Sequence, residues 1–119
     1  MATMSTAAGL IDLGFAAFHL MFWRLFGWPK ILVASGEVNS AVTQTLNFVL
    51  TYVFIAYGGA LIWLGEAAPA AMLWAGAGFW VLRAALQPAL FPMRNKPSVI
   101  ILAVFLTAGA VHAAAAWAG

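Results

Sequence analysis

Four long apolar stretches make up most of this chain, and each is close to the length of a helix that crosses a bilayer. They cover Thr6–Phe26, Ala41–Leu64, Pro69–Leu90 and Ser98–Ala118. A spanning helix needs about 20 predominantly apolar residues. Short connections favour antiparallel neighbours. The sequence therefore predicts an all-α integral membrane protein, an antiparallel up-down-up-down bundle of four transmembrane helices forming one domain over residues 1–119.

The composition indicates that lipid is the main solvent for the protein surface. Of the 119 residues, 66% are hydrophobic and 7% are charged, and the mean hydropathy is +1.01. Five Lys and Arg residues and three Asp and Glu residues cannot give a soluble domain of this size a charged surface. The basic residues are also too few and too dispersed for a nucleic-acid interface, so no nucleic-acid partner is expected.

Several chemistries are absent from the sequence. The chain has no cysteine, which excludes disulfides and thiolate catalysis. No phosphate-binding glycine loop, nucleophile elbow or HExxH motif is present. No two His, Asp or Glu side chains that could bind a metal are three or four residues apart, the spacing that would place them on one helical face. A haem held by His19 and His112 is not expected, because their predicted depths differ by about 10 Å. We therefore predict no catalytic residues, no metal site and no cofactor other than a bound lipid or quinone.

The basic residues predict the orientation in the membrane. Cytoplasmic connections carry an excess of Lys and Arg. Four of the five basic residues flank the first and third connections, and they are Arg24, Lys30, Arg94 and Lys96. We expect a multi-pass protein of a bacterial inner membrane, with residues 27–39 and 91–97 cytoplasmic and both termini outside.

Five polar side chains inside the apolar stretches give the best indication of function. They are His19, Gln44, Asn47, Arg83 and Gln87. A polar group in hydrocarbon is costly unless it finds a partner or a role. With a rise of about 1.5 Å per residue, all five are predicted about 5–12 Å from the cytoplasmic ends of their helices. Their shared depth predicts one inner-leaflet ligand-binding cluster.

Two interpretations of this cluster stay open. In the first, the amides of Gln44, Asn47 and Gln87 form hydrogen bonds between helices, each worth about 0.6–2 kcal/mol, and Arg83 reaches the inner headgroups. In the second, Arg83, with His19 and the amides, holds an anionic or carbonyl-bearing ligand. Such a ligand is a lipid headgroup, a quinone or a small anion. Arg83 is the hardest to explain by packing, because no acidic residue is predicted at its depth.

A second group of polar side chains is predicted at a depth nearer the outer face of the membrane. Asp12 and His112 are each counted about 21 Å from the cytoplasmic ends of their helices. They are predicted to meet as a pair, which is either a satisfied buried contact or a proton-linked site. An Asp12 that lies near the outer headgroups instead is the other alternative. The proton-linked interpretation depends on histidine, which ionises near neutral pH.

Three classes of function agree with these features. The first is a non-enzymatic subunit or helper of a membrane assembly, or a lipid- or quinone-binding protein with a pocket around Arg83. The second is a homo-oligomeric transporter or channel for an anion or a proton-coupled solute. The third is a membrane redox or lipid-modifying enzyme. We prefer the first because the connections are short and carry no catalytic groups. The expected partners are membrane lipids and either further copies of this chain or another membrane protein.

Overall fold

Helices account for all the regular structure in residues 3–118, which are the residues that the computed structural model describes. The α-helices are α1 (Met4–Leu20), α2 (Phe22–Leu25), α3 (Glu37–Leu64), α4 (Ala70–Leu90) and α5 (Lys96–Ala118). Two short 3-10 turns, Ile31–Ser35 and Gly65–Ala67, lie in the connections. The all-helical class predicted from the sequence is confirmed for this part of the chain.

Two of the helical segments are long and apolar enough to cross a membrane. They are Glu37–Ala67, with 31 residues, and Lys96–Ala118, with 23 residues. In their most apolar 18-residue windows, only 22% and 33% of the residues are buried. Most residues of these two windows are therefore half-buried or exposed, although length and composition alone do not separate a spanning helix from an apolar helix of a soluble protein. The helix α1 is also apolar but has 17 residues.

The first apolar stretch is divided, which the sequence did not predict. The helix α1 ends at Leu20, and α2 begins at Phe22. Between them, the amide N of Met21 donates to the carbonyl O of Phe18, three residues back, at 3.0 Å. A bond to the third residue back tightens the last turn of a helix and interrupts its regular ladder.

Two other helices begin earlier than the sequence predicted. The helix α3 begins at Glu37, not Ala41, directly after Gly36, whose φ of +98° suits glycine. The carboxylate of Glu37 in the first turn is favoured by the helix dipole. The helix α5 begins at Lys96, because the side chain of Asn95 caps it by accepting from the amide N of Ser98 at 2.9 Å.

The chain divides into two compact units, one of which is residues 9–60. In this unit α1 and α3 come into backbone contact at Gly58. A Cβ atom on Gly58 would lie 2.8 Å from the carbonyl O of Gly9 and 3.0 Å from the Cβ of Asp12. Phe15 and Phe54 pack nearby, with ring centroids 6.1 Å apart. A residue without a side chain is therefore required where the two helices meet.

The other unit contains residues 61–118 and the first residues of the chain, up to Ala8. Here α4 packs along α5. Trp80 of α4 stacks on Phe105 of α5, with centroids 5.8 Å apart and ring planes 19° apart. Ala108 and Gly109 are buried one turn further along α5. These small residues allow the two helices to approach closely.

Candidate functional site

The five polar side chains divide between the two units. His19, Gln44 and Asn47 belong to residues 9–60, whereas Arg83 and Gln87 lie on α4. Asn47 is hydrogen-bonded to His19, and Arg83 and Gln87 lie one turn apart on α4, whereas Gln44 bonds to Trp23 and Ser40. The meeting of all five in one cluster stays a prediction.

His19 and Asn47 are joined through the main chain. Asn47 is buried, and its Nδ2 donates to the carbonyl O of His19 at 2.8 Å. His19 lies in the last turn of α1, where carbonyl groups run out of helical partners. Its own Nδ1 donates to the carbonyl O of Phe15 at 2.8 Å. The amide of Asn47 therefore ties α3 to the end of α1.

Both polar atoms of the Gln44 side-chain amide form hydrogen bonds. Its Oε1 accepts from Nε1 of Trp23 at 3.0 Å. Its Nε2 donates to Ser40, at 3.3 Å from the carbonyl O and 3.2 Å from Oγ. This arrangement holds α2 against α3 and favours the packing interpretation for Gln44.

A shallow groove of about 270 Å³, open to the surface, lies beside His19 and Asn47. Its lining residues come from the end of α1, from α2 and the following connection, and from α3, and they are His19, Phe22, Trp28, Thr43, Leu46, Asn47 and Leu50. Sequence reasoning found only the histidine and the asparagine. The available signal was the helical spacing of Thr43, Asn47 and Leu50, which places all three on one face of α3.

Arg83 lies between two aromatic rings of its own unit. Its Cζ is 4.3 Å from the ring centroid of Phe105 and 5.2 Å from that of Phe91. A guanidinium over an aromatic face gains electrostatic attraction but no hydrogen bond. Its Nη1 is buried and has no hydrogen-bond partner among residues 3–118. Aromatic contacts thus hold Arg83 in place while this donor stays unsatisfied.

Gln87 lies one helical turn after Arg83 and has an unsatisfied acceptor, whereas Arg83 has an unsatisfied donor. Only 2% of its surface is exposed, and its Oε1 has no hydrogen-bond partner in the described part of the chain. A buried polar atom without a partner costs about 1–3 kcal/mol, and more when the group is charged. The helix α4 therefore carries an unsatisfied donor and an unsatisfied acceptor on side chains one turn apart. The Cβ atoms of residues with this spacing are about 5–6 Å apart.

Asp12 and His112 are both completely buried. Nδ1 of His112 donates to the carbonyl O of Ala108 at 2.7 Å, and the ring lies 6.5 Å from that of Trp80. Asp12 lies on α1 in the other unit, so the predicted pairing of these two residues stays a prediction. Across residues 3–118, no group of three or more His, Asp and Glu side chains could hold a metal ion.

Comparison with known proteins supplies no relative. No protein-family model, curated protein or solved structure matches this chain. The unsatisfied pair on α4 is the feature of the described residues that packing does not explain.

Proposed function

We propose that this chain is a small four-span protein of a bacterial inner membrane that binds a phospholipid headgroup at Arg83 and Gln87. In this role it is a non-enzymatic component or helper of a membrane assembly. The observation that supports the proposal is the unsatisfied pair on α4, Nη1 of Arg83 and Oε1 of Gln87.

The apolar surface supports a location in the membrane. Trp63, at 89% exposure, and Trp117, at 85%, stand near the ends of the two longest apolar segments. Tryptophan is enriched where a spanning helix meets the headgroups. The exposed sides of α3 and α5 are lined by Val, Leu, Ile and Phe side chains, which a bilayer would cover.

Because the pair on α4 combines a hydrogen-bond donor with an acceptor, it favours a phospholipid headgroup over a quinone. The planar guanidinium suits phosphate oxygens, to which it can form two parallel hydrogen bonds. Oε1 of Gln87 is itself an acceptor, so the ligand must also carry a hydrogen-bond donor close to its phosphate group. Phospholipid headgroups that carry an ammonium or hydroxyl group next to the phosphate offer both, whereas a quinone offers carbonyl acceptors alone.

Single-cysteine labelling tests the membrane location and the orientation, since the chain contains no cysteine. Glu66 and Asn95 are exposed and lie in the second and third connections. We expect Asn95→Cys to react with a charged maleimide only from the cytoplasmic side and Glu66→Cys only from the outside, because basic loops stay in the cytoplasm. Detergent should make both reactive. Labelling of both from the same side of sealed vesicles would contradict the four-span topology.

Lipid retention tests the headgroup site. In detergent-purified protein, we expect Arg83→Gln to lower the affinity for an anionic phospholipid by about tenfold or more, as a charged hydrogen bond contributes about 1.5–3 kcal/mol. Native mass spectrometry with phosphatidylglycerol measures the change. Gln87→Leu should also weaken binding, while raising the unfolding temperature because it removes a buried orphan acceptor.

Arg94→Gln is the matched control for the loss of one positive charge, because Arg94 is exposed. We expect it to retain phospholipid as the wild type does. Equal retention by the Arg83→Gln and Arg94→Gln variants would refute the site. A co-purified quinone, lost on Arg83→Gln while phospholipid is unchanged, would assign the site to a carbonyl ligand instead.

A further inference from the structure

We infer that α3 pairs with the α3 helix of a second copy of this chain, through the face centred on Tyr52. This face is called the Tyr52 seam, and its residues are Thr45, Val49, Tyr52, Ala56 and Gly59. All five belong to the unit 9–60. The inference rests on the membrane location given in the proposed function and does not depend on the Arg83 site.

Tyr52 lies near the middle of α3, and its side chain is 70% exposed. At a rise of about 1.5 Å per residue, it lies about 22 Å after Glu37 and about 18 Å before Leu64. The hydrocarbon core of a bilayer is about 30 Å thick, so a spanning α3 places Tyr52 near the midplane. Tyrosines at the ends of spanning helices reach the headgroup layers. Tyr52 is too deep for that role.

The hydroxyl of Tyr52 has no hydrogen-bond partner among residues 3–118. The exposed Thr107 of α5, by contrast, donates to the carbonyl O of Ala103 on its own helix at 2.8 Å. A short threonine side chain can form such a bond, whereas the ring of tyrosine holds its hydroxyl away from its own helix. A hydroxyl left unbonded in hydrocarbon costs free energy. This face of α3 therefore requires a polar partner.

The seam has the geometry of a helix-packing face. Its residues are four, three, four and three positions apart, the repeat by which two helices pack along their length. Gly58, by contrast, faces α1. A Cβ on Gly59 would meet nothing within 4 Å, so no contact in the described residues requires glycine there. Small residues such as Ala56 and Gly59 let a neighbouring helix approach closely. Four of the five seam residues are exposed, and Gly59 is half-buried.

The chemistry of the seam fits an identical seam. A hydroxyl both donates and accepts, so two Tyr52 hydroxyls related by a two-fold axis can bond to each other. No seam residue is charged, so two copies do not repel each other at this face. Copies inserted with the same orientation are related by an axis along the membrane normal. The two α3 helices are then parallel, and each seam residue lies opposite its own equivalent.

Disulfide cross-linking in isolated membranes tests the pairing, since the chain contains no cysteine. Val49→Cys and Ala56→Cys place a thiol on the seam. Ile55→Cys is the matched control, because Ile55 is exposed and adjacent to Ala56 in the chain but points about 100° away around the helix. Under mild oxidation, we expect about fivefold or more covalent dimer from either seam variant than from the control, because only seam positions bring two thiols within disulfide distance.

Tyr52→Phe tests the hydroxyl while keeping the ring. In detergent micelles, we expect the dissociation constant of the dimer to rise about tenfold, because both copies lose a hydrogen bond between membrane helices. Fluorescence energy transfer between labelled copies measures the dissociation constant. Tyr57→Phe is the control, since it removes the same hydroxyl from a half-buried position of α3 outside the seam. We expect it to leave the dissociation constant unchanged.

The possible outcomes separate this inference from the proposed function. Equal cross-linking at the three cysteine positions, cross-links to a different protein alone, or an unchanged dissociation constant for Tyr52→Phe would overturn the pairing. If Glu66→Cys and Asn95→Cys still react from opposite sides, the proposed membrane location survives that result. A chain absent from the membrane fraction would overturn both. Preferential dimer at Val49→Cys and Ala56→Cys, with weaker association of Tyr52→Phe, would support the pairing.

Discussion

Replacing Trp80 with alanine is expected to lower the free energy of unfolding by about 3–5 kcal/mol. Trp80 is only 2% exposed and is among the largest fully buried side chains in the described part of the chain. Its ring stacks on Phe105, so truncation removes this aromatic contact between α4 and α5 and leaves a cavity that the packed helices fill poorly. Equilibrium unfolding in detergent micelles, followed by circular dichroism, measures the loss.

Trp63→Ala is the matched control. It removes the same side chain from a position that is 89% exposed, where an exposed substitution changes stability by about 0.5 kcal/mol or less. A loss for Trp63→Ala as large as that for Trp80→Ala would contradict the packing of α4 on α5. Such a result would place the stabilising tryptophan contacts at the end of α3 instead.

Replacing Gly58 with alanine is expected to destabilise the unit formed by residues 9–60 by about 1–3 kcal/mol or more. The added Cβ would lie 2.8 Å from the carbonyl O of Gly9 and 3.3 Å from the amide N of Leu13. Both are main-chain atoms that cannot rotate away, so α1 and α3 must separate. Thermal unfolding in micelles measures the effect.

Gly59→Ala separates this clash from helix propensity. A Cβ on Gly59 meets nothing within 4 Å. Alanine is favoured over glycine in a helix by up to about 1 kcal/mol, so Gly59→Ala should leave stability unchanged or raise it. If Gly58→Ala also raised stability, the close approach of α1 and α3 at Gly58 would be wrong.

Much of the helical organisation could be predicted from hydropathy and from local chain chemistry. Apolar runs of about 20 residues and the prolines between them located α3, α4 and α5 to within a few residues. The interruption at Met21 could not be predicted, because no Pro, Gly or polar residue marks it in the sequence. It coincides with two main-chain bonds to the third residue back, from the amide N of Met21 to Phe18 and from the amide N of Arg24 to Met21.

The candidate site was only partly predictable. Spacing identified Gln44 and Asn47 as polar residues of one helical face, yet it assigned both the same role. The structure distinguishes them, because Gln44 bonds to Trp23 of α2 and to Ser40 of its own helix, whereas Asn47 bonds to the main-chain carbonyl of His19 on α1. Trp28 and Thr43 were missed as residues of the shallow groove beside His19, since an aromatic near a helix end and a threonine on a helix surface are ordinary by themselves.

The sequence by itself determined the helical class of this protein and the identity of its unusual polar residues. Helical hydrogen bonds join residues three or four apart, so apolar length and local breaks are sufficient to predict the helices. Only the tertiary structure decided which polar atoms are satisfied. Nη1 of Arg83 and Oε1 of Gln87 lack partners in the described residues, whereas Oε1 of Gln44 accepts from Trp23 of α2 and Nδ2 of Asn47 donates to the main chain of α1. Whether these atoms find partners depends on distances between residues on different helices. The spacing of residues along one helix does not give those distances.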